Sequence, residues 1–232
     1  MKLAKRISLG FLALITLTII STYLLLHQKL PEGTSGPEAD QFAYKISERI
    51  AHQKYLETHY LHWSFRNKHH YTWNKKTQLV SVSWDNYLVE LDLNTLSQSV
   101  VQKPSTRTSD TKTELIKKAL AYFNNDSFWV VAPHKFFDKG VTRKLVSLEN
   151  NKKALLVTYN SGGTTPGDSY LWHVDDSYLP ISYQMWVRII PIGGLKATWD
   201  SWKRTESGAF LPQKHQLLGL DIPISNLRAW NE

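Results

Sequence analysis

The first thirty residues constrain this chain more than anything that follows them. Lys2, Lys5 and Arg6 precede Ile7–Leu26, a run without a single charge. Basic residues followed by an apolar run deliver a segment into a membrane and leave its N-terminus in the cytoplasm. As a helix, the run reaches the ~20 residues needed to cross about 30 Å of hydrocarbon, and it exceeds the roughly 7–15 residues of a cleaved signal. Its exit, Tyr23-Leu24-Leu25-Leu26-His27-Gln28, has no small-x-small cleavage site. An uncleaved signal anchor over residues 1–30 is therefore expected, single-pass in a bacterial inner membrane, with the C-terminal domain periplasmic. A cleaved signal releasing a periplasmic or secreted product is the alternative. The chain has no cysteine, which excludes a lipid-modified N-terminal Cys and any disulfide.

Removing the first thirty residues takes away Lys2, Lys5, Arg6 and Lys29 but no acid, so the formal charge falls from +8 to +4. What remains is too evenly spread for a nucleic-acid footprint, and no nucleic-acid partner is expected. Some two hundred residues suffice for one domain with a sizeable core. All nine tryptophans lie in this part. Large amphipathic rings favour strands and apolar or glycan-type contact surfaces, although an aromatic-rich β core is the stronger reading of them.

Pro31-Glu32-Gly33-Thr34-Ser35-Gly36 reads as a short flexible tether. A helix should start near Pro37, because Ala39, Phe42, Ala43, Ile46 and Ile50 recur at three- and four-residue spacing. From about Leu61 the period changes to two: Trp63 and Phe65, Tyr71 and Trp73, Val80, Val82 and Trp84, then Tyr87–Asp92. Thr111-x-x-Glu114 marks a capping box for a second helix through Leu115, Ala119 and Phe123, with Asn124-Asn125-Asp126 as its end. Strands are expected at Ser127–Val131, Val141–Leu148, Lys153–Tyr159, Asp168–Val174, Pro180–Ile190, Leu195–Trp202 and Ala209–Leu218. Asn150-Asn151, Asp175-Asp176-Ser177 and Gly193-Gly194 read as hairpin punctuation. Without βαβ alternation, neighbouring strands should pair antiparallel.

Catalytic and metal signatures are sparse. Ser161–Asp168 contains Gly162, Gly163 and Asp168, glycines that let a ligand approach the backbone beside a carboxylate. A phosphate loop would lead into a helix, whereas Tyr170–His173 reads as strand, so a structural loop is the stronger reading. His69 and His70 point to opposite faces of a strand, and the other histidines are isolated, so no metal site and no cofactor are expected. No Gly-x-Ser-x-Gly elbow surrounds any serine. The aromatic positions are more informative as a set. One face of each strand is apolar, and Trp63, Trp73, Trp84, Tyr170, Trp172, Tyr183, Met185 and Trp199 are the candidate ligand-binding residues. Phe42, Ile46 and Ile50 would belong to a covering helix.

Asp126-Ser127-Phe128-Trp129, Ala132-Pro133-His134-Lys135, Ser161–Trp172, Ile190-Pro191-x-Gly193-Gly194 and Trp199-x-x-Trp202 together resemble uncharacterised membrane-anchored or secreted bacterial proteins. That family brings no activity with it. The order of helices and strands is also similar, in topology only, to the periplasmic lipoprotein carrier LolA and its outer-membrane acceptor LolB. That resemblance implies a LolA-like β half-barrel over 37–232, a curved antiparallel sheet wrapping helices around an acyl-chain cavity. The expected fold class is thus α+β, mainly β: an incomplete β-barrel with two packing helices and one N-terminal transmembrane helix. The expected function is binding an apolar or amphipathic ligand, a lipid or a lipoprotein acyl chain, in the concave sheet. A glycan-acting enzyme on a β scaffold and a structural or interaction domain with a self-filled core are the alternatives.

Overall fold

The computed structural model describes the backbone of residues 2–103, 111–162 and 164–232, and the side chains of most of them. Helix α1 runs Lys2–Leu26, α2 Pro37–Arg49, α3 His52–Glu57 and α4 Lys112–Val131. The strands are β1 Tyr60–Phe65, β2 His69–Asn74, β3 Leu79–Trp84, β4 Tyr87–Asp92, β5 Val100–Lys103, β6 Val141–Ser147, β7 Lys153–Tyr159, β8 Asp168–Val174, β9 Pro180–Trp186, β10 Leu195–Thr198, β11 Lys203–Arg204, β12 Phe210–Leu211, β13 Lys214–Leu217 and β14 Leu220–Trp230. Twelve of these form one sheet in the order β5-β4-β3-β2-β1-β14-β13-β10-β9-β8-β7-β6, and β11 pairs with β12 in a separate ribbon. Every pairing is antiparallel, and the large sheet is not closed on itself. The fold is α+β and mainly β. Among the described residues no helix is long and apolar enough to cross a membrane, and the side chains of 2–9, 13, 19, 20 and 22 in α1 lie outside them.

The period-two segments pair as meanders because each connection is short. The β2–β3 turn holds Asn74 in an Asx arrangement, its Oδ1 accepting from the amides of Lys76 (3.0 Å) and Thr77 (3.1 Å). One sheet face carries Trp63, Tyr71, Val82, Leu91, Leu155, Val157, Trp172 and Tyr183, and α2 and α4 pack into it to form the main core.

Several expectations need correction. Ser127–Val131 is the last turn and a half of α4 rather than a strand. The Asn-Asn-Asp sequence does not stop the helix because Asp126 is buried, its carboxylate taken up by Tyr71 Oη (2.6 Å) and His69 Nδ1 (2.7 Å). The region Ala209–Leu218 is two strands, β12 and β13, rather than one. The longest strand of all, β14, carries Pro223 and was not anticipated from the pattern. It tolerates the proline where its pairing changes over: residues 220–223 pair with β13, residues 224–230 with β1.

The segment read as a tether is packed. Gln28 N donates to Gly193 O (2.9 Å), and Thr34 and Leu145 exchange two backbone hydrogen bonds (2.9 and 2.8 Å). The chain therefore crosses the outer face from the β9–β10 loop to β6. That is three strand spacings, about 14 Å, within reach of six residues at about 3.3 Å each. It lies beside a second small core of Val146, Ala154, Leu156 and Leu171 with Trp186. A Cβ on Gly33 would meet Leu145 O and a Val146 methyl, each at 2.9 Å, so this position needs glycine for close approach.

Candidate functional site

The aromatic residues expected to line a ligand cavity are brought together, and they pack against one another. Trp63, Trp84, Tyr170, Trp172, Tyr183, Met185 and Trp199 are buried, as are Ile46 of α2 and Ile50 at its C-cap, while Trp73 and Phe42 are partly buried against the same cluster. Trp172 meets Trp199 edge-on at 4.8 Å between ring centroids and Phe136 at 5.4 Å; Trp63 stacks on Tyr71 at 4.6 Å; Phe123 of α4 closes on Trp73 at 5.3 Å. The indole N–H groups of Trp63, Trp73, Trp84, Trp172 and Trp199 find no hydrogen-bond acceptor among the described protein atoms. Edge-on ring pairs offer π faces in place of oxygen acceptors.

The glycine loop is structural in its contacts. Asp168 is buried, and its carboxylate accepts from the Arg188 amide (3.0 Å) and from the Thr165 hydroxyl, so no oxygen is left aimed at a ligand by design. Gly162 sits exposed at φ 79° with open space around it, and Gly163 lies outside the described residues.

Polar groups converge instead at the rim, where α3, the β2–β3 turn and the segment after α4 meet. A cleft of about 520 Å³ is lined there by Tyr55, Leu56, Trp73, Lys75, His134 and Asp138, among others. Lys75 Nζ lies 3.6 Å from the centre of the Tyr55 ring and donates to the Tyr55 carbonyl. Burial, with a smaller contribution from the Lys135 charge, lowers its pKa to about 8. The neighbouring charges neutralise one another: Lys135 pairs with Asp138, and Glu57 with Lys54 (3.0 Å). Among the described residues no carboxylate lies within 4.0 Å of the Lys75 ammonium.

Beneath the rim His52 and His134 stack, with Nδ1 facing Nδ1 at 3.3 Å. His134 Nε2 lies 3.2 Å from the Phe210 carbonyl, which can only accept. Neutral His134 thus carries its proton on Nε2 and accepts at Nδ1 from His52 Nδ1–H. Burial lowers both histidines, His134 well below the usual range. A second cleft, of about 410 Å³, lies on the outer face between His62, Asn226, Arg228 and Trp230. Its cation is already compensated, because Arg228 Nε pairs with Glu206 at 2.8 Å.

Lys75, Tyr55 and His52 carried no signal in the linear sequence, and His134 entered only within Ala132-Pro133-His134-Lys135, with no role attached. Their meeting depends on α3, which begins after Ala51 at φ 54°, a break that continuous helix periodicity conceals. Among the described residues no group of three or more His, Cys, Asp or Glu could hold a metal ion. No family model matches this chain, and no curated protein matches it.

Proposed function

We propose that this chain is a single-pass bacterial envelope protein whose periplasmic domain binds an amphipathic anion at the rim cleft, its acid on Lys75 and its apolar part along Leu56 and Trp73. The N-terminal order of three basic residues and then an uncharged run supports the anchoring. The observation that carries the ligand class is the ammonium of Lys75: partly buried, seated on an aromatic face and, among the described residues, without a carboxylate partner. An anion entering the cleft restores the charge balance that burial has removed. The reading places the ligand at the rim of the sheet rather than within it, because the aromatic positions of the interior are occupied by one another. An acyl chain inside the sheet would have to displace the Ile46–Ile50 stripe first.

The test is titration of hexanoate and hexan-1-ol against the full chain in detergent. Hexanoate should bind and hexan-1-ol should bind at least about tenfold more weakly, a difference of about 1.4 kcal/mol. Lys75→Met should abolish that difference. Equal affinity for acid and alcohol, or an unchanged preference in Lys75→Met, would sink the anion reading in favour of a self-filled interaction domain.

A further inference from the structure

The loop between β9 and β10 and the tip between β13 and β14 project at one end of the strands, and that end is where α1 leaves. The pairing fixes this: Leu195 lies opposite Met185, Ala197 opposite Leu217, and Leu217 opposite Leu220, so Trp186, Leu195, Leu217 and Leu220 share an end. Following the register onward through β14, β1 and β2 places the Lys75 turn at the opposite end. The first residues after α1 are seated on the β9–β10 loop. Gly193 N donates to His27 Nδ1 (3.0 Å), and Trp186 Nε1 donates to the Gln28 carbonyl (2.7 Å). The glycine pair makes this possible, since a Cβ on Gly193 would meet the Trp186 ring at 2.4 Å and one on Gly194 would meet Gln28 Cβ at 2.6 Å. Helix and domain are thus joined by a clasp.

At this end the tips are apolar where hairpin tips are ordinarily polar. Ile189 is 72% exposed, and Leu218 and Leu220 are each 66% exposed. Leu218 also holds φ 51°, the left-handed region that costs a branched side chain and that Asn or Gly would occupy more easily. Such a residue loses both in water and in its backbone, and gains only if the side chain is removed from water. The occupant that fits is fixed by the clasp: whatever surface α1 emerges from lies beside these tips.

We infer that the β9–β10 loop and the β13–β14 tip rest in the lipid surface around the anchor, so that Ile189 and Leu218 enter the interfacial layer and the Lys75 cleft points away from the membrane. The inference rests on the anchoring stated above, and it adds a fixed orientation of the domain. Because the chain has no native cysteine, single labels can be placed without background. Ile189→Cys, Leu218→Cys and, as a control at the far end, Leu96→Cys are each labelled with a fluorophore in the full chain. The proteins are reconstituted into vesicles of phosphatidylethanolamine and phosphatidylglycerol, with or without lipids brominated near the headgroup. Labels at 189 and 218 should lose most of their emission to brominated lipid, and the label at 96 should lose none. Flotation after a carbonate wash reports the anchor separately. A chain that fails to float overturns the anchoring and this inference together. A chain that floats with labels at 189 and 218 unquenched, or with all three equally quenched, overturns only the orientation.

Discussion

At Lys75 burial works against the ammonium, and a bound anion would work for it. Binding should therefore take up a proton near pH 8, and affinity for hexanoate should fall as pH rises through about 8, well before an ordinary lysine titrates. Calorimetry in buffers of different ionisation enthalpy measures that proton directly; a buffer-independent heat at pH 8 would contradict it. For the empty protein, folding is linked the other way. The folded pKa lies below the unfolded value of 10.5, so stability rises with pH between about 8 and 10.5. His134 has the same sign in another range. Its folded pKa is lowered from 6.5, so its neutral pairing with His52 and Phe210 is fully present above that value and is lost as pH falls. Urea melts at about pH 7 and about pH 5 should show a loss on acidification that His134→Gln reduces; parallel losses in both proteins would remove the histidine pair as the cause.

Among elements, the strands that read clearly in the sequence are those with one wet and one dry face. In β3 the burial alternates with each residue, and Val80, Val82 and Trp84 all point inward. The start of α4 was equally legible, because a capping box is a local device: Thr111 Oγ1 accepts from Glu114 N at 3.2 Å, and Glu114 returns the contact to Thr111 N at 2.7 Å. Thr111→Ala should cost about 1 kcal/mol in a denaturant melt. The end of α4 and the whole of β14 were not legible, for opposite reasons. Asp126 looks like a helix stop until a partner on β2 is known, and Pro223 looks like a strand breaker until the change of partner is known. The candidate site, Trp73 apart, was concealed in the same way, since Lys75, His52 and His134 are scattered in the sequence and meet only by tertiary contact. The aromatic positions lie on one face of the sheet. Trp172→Ala and Trp199→Ala, both buried, should each cost about 3–5 kcal/mol, while exposed Asp200→Ala should stay within about 0.5 kcal/mol. Similar small losses at all three positions would show that the interior is not the packed core described above.

For the whole molecule, the arrangement separates scaffold, clasp and rim. If α1 anchors the chain as proposed, alkaline phosphatase fused after Glu232 should be active in a bacterial host and a cytoplasmic reporter at the same place silent; the reverse pattern would invert the topology. The strand order carries a consequence for how the molecule comes into being. β14 is the seam between the β1–β5 meander and the β6–β13 portion, yet it emerges from the ribosome or the export channel after both of the strands it joins. Until it arrives, β1 and β13 each present an unpaired backbone edge, the kind of surface on which unfinished chains stick to one another. Tyr60 must wait for Trp230, a separation that makes closure slow compared with that of the local hairpins. The vulnerable period of this protein therefore lasts until residue 230 has appeared, and a chaperone that shields strand edges would matter most before then.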